Sequence, residues 1–173
     1  MLKNLLQPST WATHFPMVRA GGLFILIVGV AILAGALLPS KRSFLLILGF
    51  IVASVMIVLL AARLAAPFGN PAPVQLWFLF GAIAFEFVLI RFMNARYRQK
   101  GERALLLATL FAVGLHFLPM AVAFGPMCFA LGLVLCAWSG IGVWFGLNLP
   151  LDLFWGMDGV FKIAFGALMF FVY

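Results

Sequence analysis

From Ala20 to Ser40 the chain reads AGGLFILIVGVAILAGALLPS, with no side chain that carries a charge. Water solvates such a stretch poorly, and in hydrocarbon its backbone polar groups must find hydrogen-bond partners within their own segment. A helix is the expected result, since about 20 residues rising 1.5 Å each cross a hydrocarbon core of ~30 Å. Five more stretches of this kind follow, placing spans at 20–38, 43–64, 74–93, 104–124, 126–147 and 153–173. The expected fold class is all-α: a polytopic integral membrane protein built as a six-transmembrane-helix bundle.

Beside six spans, 173 residues leave no room for a separate soluble domain. Charged residues make up 9% of the chain, against about 25% in soluble domains. Residues 1–19 mix Pro8, Trp11, His14, Pro16 and two basic side chains, which suits an interfacial segment lying at the membrane surface. The formal charge of +7 would point to nucleic acid in a soluble protein. Here the basic residues flank apolar segments, so they read as topology signals and contacts to the lipid bilayer, and no nucleic-acid partner is expected. The first apolar run exceeds the ~7–15 residues of a removable signal, so it is expected to stay as a span, although Ala34-Gly35-Ala36 has the small-residue pattern of a cleavage site.

Proline and glycine punctuate the runs. Pro39-Ser40-Lys41-Arg42 closes the first span, FGNPAP the second, and Gly125-Pro126 turns the fourth directly into the fifth. Asp152 is the expected N-cap of the sixth. The first and third connections with their flanks hold Lys41, Arg42, Arg91, Arg96, Arg98, Lys100 and Arg103, whereas the opposite side holds Lys3, Arg19 and Arg63. Seven against three places those connections in the cytoplasm and both termini outside, across a bacterial inner membrane. Arg96, Arg98, Lys100 and Arg103 are candidate contacts for anionic lipid headgroups, with snorkelling anchors as the simpler reading. Small residues four apart recur at Ala31 and Gly35, Gly49 and Ala53, Ala61 and Ala65, and Gly142 and Gly146. They suit close helix packing within the bundle, and the last pair is a candidate contact for a homo-oligomer. Cys128 and Cys136, eight residues apart in one span, lie about 12 Å apart along a helix axis and cannot pair with each other.

Once the flanking charges are set aside, four ionisable side chains remain inside the spans: Glu86, His116, Asp158 and Lys162. Each is expensive in hydrocarbon and calls for a partner or a task. Counted from the predicted cytoplasmic ends, they lie roughly 12, 18, 8 and 14 Å deep. Asp158 and Lys162 are four apart on one helix face and can pair. Similar depths predict a cluster of Glu86, Lys162 and Asp158 between spans three and six, with His116 near its edge. Such a cluster either fixes helix register, as a purely structural network, or binds a proton, an ion or a small polar solute. Pro119 removes one backbone hydrogen bond and frees a carbonyl near Leu115, so a helix kink is expected beside His116.

The sequence assigns no catalytic residue, no cofactor and no metal site: it holds no histidine pair at metal spacing, no GxSxG and no phosphate-binding loop. The segment FGNPAPV, followed further along by GLHFLPMAVAFGP, resembles small bacterial multi-pass membrane proteins that carry Gly-x-His-Phe-Leu-Pro on a central helix. That resemblance implies a bacterial inner-membrane helical protein and brings no activity with it. The leading expectation is a small transporter-like or ligand-binding bundle, with a non-catalytic accessory protein as the alternative and a lipid-acting membrane enzyme third.

Overall fold

The structure, a computed structural model, describes residues 14–144 and 149–172. Six long helices account for most of it: α1 (Val18–Leu37), α2 (Arg42–Ala65), α3 (Pro73–Tyr97), α4 (Glu102–Phe124), α5 (Pro126–Trp144) and α6 (Leu151–Phe171). All six are long and apolar enough to cross a membrane. Most of the expected interfacial segment, residues 1–13, lies outside the described residues, as does the end of the fifth predicted span.

The connections follow from backbone chemistry. Single 3-10 turns at Pro39–Lys41 and Arg98–Lys100 close two of them. Gly101 and Gly125 take φ of 95° and 88°, a left-handed conformation that a side chain would strain, and they sit where the chain must reverse. Asp152 is not the N-cap of α6. That position belongs to Pro150, whose ring presets the helical entry, and Asp152 falls in the first turn.

Four helices form the inner bundle. α6 packs along α1, α5 on α6, and α4 on α5, while α1 and α4 barely touch across the remaining side. α2 leans on the outside of α1, and α3 on the outside of α4; no substantial contact joins α2 to α3. These two outer helices bury one narrow edge each and offer the rest to lipid, through side chains such as Val58, Trp77 and Phe87.

Glycine sets the closest approach. On α1 Gly22 and Gly29 stand seven residues apart, and on α6 so do Gly159 and Gly166, an interval close to two turns that keeps each pair on one stripe. The helices run antiparallel, with Gly22 against Gly166 and Gly29 against Gly159. A Cβ at Gly166 would lie 2.6 Å from the backbone nitrogen of Leu26, so the two backbones touch through bare glycine faces. On α4 and α5, Gly114 and Gly132 do the same work, and Cys128 and Cys136 point their thiols at the carbonyls of Phe117 and Phe111. Gly142, the candidate subunit contact, instead faces Phe154 and Leu107 inside the chain, and Gly146 lies outside the described residues.

Polar contacts tie the helix ends at the two faces of the bundle. At one face Arg42 pairs with Asp152 and stacks over Trp155, 5.2 Å from the ring centre, joining α2 to α6. Beside it Arg103 donates to the carbonyl of Leu149 at 2.7 Å. At the opposite face Gln75 accepts from the Ala72 N–H at 3.0 Å and donates to the carbonyl of His14 at 2.8 Å. With more than half of Asp152 exposed, Asp152→Asn is expected to lower stability by only about 0.2–1 kcal/mol, as read from denaturation in detergent.

Candidate functional site

The packed edge of α3 runs through Gln75, Leu79, Ala82, Glu86, Ile90, Met93 and Tyr97, spaced by three or four, with Leu89 beside it. This is the seam of a helix that lies along a neighbour, and its residues are normally apolar. Glu86 occupies one of those seam positions at mid-helix. The carboxylate therefore faces α4 and does not snorkel to an aqueous surface.

Opposite it stands His116, with Nε2 3.8 Å from Oε2 of Glu86. The imidazole is almost fully buried, and 28% of the Glu86 side chain remains exposed. The other ring nitrogen, Nδ1, lies 2.5 Å from the carbonyl oxygen of Val113. A carbonyl only accepts, so Nδ1 carries the hydrogen. In a neutral imidazole Nε2 is then a bare lone pair, and it confronts a carboxylate that also offers only lone pairs. At 3.8 Å the contact is longer than a hydrogen bond, and as two acceptors the groups have no proton to draw them together. A proton taken up there can sit on Glu86, facing the lone pair of Nε2, or on Nε2, making an imidazolium beside a carboxylate.

The other two candidates pair with each other. Lys162 donates to Asp158 within α6, and both side chains are almost completely buried against the glycine seam, with the Cβ of Lys162 directly over Gly29. The Lys162 ammonium also acts electrostatically on Glu86 and His116, so the two pairs share one field. The expected direct contact between Glu86 and Lys162 is not formed. α3 packs on α4, not on α6, so the nearest partner for Glu86 is the histidine of α4.

Summed over the site, two carboxylates face one ammonium and one histidine. With neutral histidine and both carboxylates ionised the cluster carries one net negative charge in a medium that tolerates none. One proton or one monovalent cationic group restores neutrality. Among the described residues no group of three or more His, Cys, Asp and Glu side chains is arranged to hold a metal ion.

Next to the pair, α3 and α4 line an open apolar groove of about 610 Å³, with Trp77, Phe78, Gly81 and Phe85 from α3 and Leu118 and Pro119 from α4. α4 continues through Pro119 to Phe124, and the expected break is local, since Pro119 cannot donate the hydrogen bond that the Leu115 carbonyl would receive. Sequence reasoning located the four ionisable side chains but missed both the groove and the Val113 carbonyl. The one legible sign of the groove was Gly81 set among bulky aromatics.

Of the candidate headgroup contacts, Arg96 and Arg98 are exposed, as is Lys100, whose ammonium sits 4.8 Å from the centre of the Tyr97 ring. Arg103 is engaged within the chain, through Leu149 and over the ring of Phe154.

Six apolar helices around an internal polar cluster define the class, a polytopic α-helical membrane protein. The chain belongs to the DUF6609 family, a family of unknown function whose model matches residues 9–173. The comparisons with curated proteins and with solved structures give no match.

Proposed function

We propose that this protein is a small transporter-like bundle that binds a proton reversibly at the Glu86–His116 pair in mid-membrane. The single observation that carries this reading is the commitment of His116 Nδ1 to the Val113 carbonyl, which leaves Nε2 and the Glu86 carboxylate as two facing acceptors, 3.8 Å apart, that can take up one proton. Partial exposure of Glu86 leaves its carboxyl open to reagents and ligands that enter from lipid.

The structural reading keeps its force for the other half of the cluster. Asp158 and Lys162 are dry, mutually paired and pressed against the closest helix contact of the bundle, so their task is to fix α6 against α1. In the orientation that supports this reading best, the ends of the bundle bearing Arg96, Arg98 and Lys100 face the cytoplasm of a bacterial cell and meet anionic headgroups there.

The test uses dicyclohexylcarbodiimide, an apolar reagent that attacks protonated carboxyl groups held in hydrocarbon. Glu86 is expected to be labelled in the purified protein, with Asp158 spared. Labelling should fall as pH rises, and His116→Leu should move the midpoint of that fall. Absence of labelling at Glu86, or labelling indifferent to both pH and His116, would sink the reading.

A further inference from the structure

From the groove beside the pair we infer what the proton exchanges with: a lipophilic cation, drawn from the bilayer itself, that lodges between α3 and α4 with its charge at Glu86. The inference rests on the proton-binding reading above and names the substrate class of that same site.

The groove has the volume of a ligand pocket, within the ~300–1,000 Å³ range typical of small-molecule sites. Its walls are hydrocarbon and aromatic rings, and most of them belong to α3, the helix that buries least of itself in the bundle, so entry is from lipid. Phe78 and Ala82 form a stripe with a spacing of four, and Glu86 is the next position on it. A ligand lying in the groove therefore has rings along its length, and the Glu86 carboxylate lies one helical turn beyond the lining residue Ala82, within reach of its inner end. Aromatic faces also favour a cation over a neutral or anionic guest.

Charge complementarity selects the occupant. The groups facing Glu86 are His116 on α4 and, at longer range, Lys162 on α6, the latter already paired with Asp158. That leaves the cluster one positive charge short, a deficit that a proton or a cationic ligand can fill but that both cannot fill together without overcharging it. Binding is thus an exchange: Glu86 releases its proton to water as the cation arrives, one for one, and the charge of the site is unchanged. An ordinary lipid tail would fill the groove but leave the carboxylate unanswered.

Gly81 makes the idea testable without disturbing the fold. It lines the groove, and a Cβ there would meet nothing within 4 Å. Purified protein in weakly buffered detergent is titrated with tetraphenylphosphonium and, separately, with tetraphenylborate, which has the same shape and the opposite charge. The expected result is saturable binding of the phosphonium with release of about one proton per cation, and no binding of the borate. Gly81→Phe should weaken phosphonium binding at least tenfold while carbodiimide still labels Glu86, and Glu86→Gln should abolish proton release. Equal binding of the borate would reduce the groove to a general hydrocarbon surface and overturn the inference. A change in particle mass on Gly81→Phe would overturn it too, by making the groove a contact between copies. If the phosphonium fails to bind while Glu86 is labelled normally, the inference falls and the proton site stands; if labelling also fails, both fall.

Discussion

Lys162→Met is expected to lower stability in detergent by about 3–5 kcal/mol, and Lys162→Met combined with Asp158→Leu to recover most of that loss. Removing the ammonium leaves Asp158, 2% exposed, as a buried carboxylate with no other side-chain partner among the described residues. The penalty comes from the stranded charge, not from the worth of the pair, and replacing both side chains with apolar ones removes it. The second comparison is Glu86→Gln with Lys162→Met. Lys162 reaches Glu86 only through space, so the coupling there should be well below that between Lys162 and Asp158. Denaturation of the three single and two double variants beside the wild type supplies both cycles. Comparable coupling in the two would mean that Lys162 is shared equally, and the division of the cluster into a structural half and a proton-binding half would fail.

That division is the part of the molecule that sequence reading did not reach. Six spans were legible because lipid solvation demands long uncharged runs, and proline and glycine mark where they stop. The candidate residues were legible for the converse reason, as ionisable groups stand out against apolar sequence. Their partners were not. Depth along a helix axis can be counted from the sequence, and it placed Glu86 level with Lys162. Which helices are neighbours is set by side-by-side packing, and α3 lies on α4, so depth alone chose the wrong partner. The seam of α3 was hidden for a related reason: the helix is apolar all round, and no hydrophobic face distinguishes the edge carrying Glu86. Small-residue pairs four apart marked Ala31 and Gly49, which do meet between α1 and α2, but not the contact of backbone on backbone between α1 and α6, which uses glycines seven apart on two helices at opposite ends of the chain.

Those glycines carry the other large effect. Gly166→Val is expected to prevent α1 and α6 from closing, costing at least the ~1–3 kcal/mol of an overpacked core and in practice lowering the yield of folded protein sharply. The new Cβ would stand 2.6 Å from Leu26 nitrogen and 2.8 Å from the Gly22 carbonyl oxygen, and neither is a side chain that can swing aside. Two backbones must separate, and the strain passes to Gly29 and Gly159 one heptad away. Gly81→Val supplies the contrast, since its Cβ meets nothing within 4 Å and any cost there is that of a valine in a helix facing lipid. Thermal unfolding of both variants in detergent reads the difference directly. If Gly166→Val melts with Gly81→Val, the α1–α6 contact is looser than backbone against backbone. Lys162 and Asp158 would then have room for water, and the stability loss expected for Lys162→Met would shrink with it.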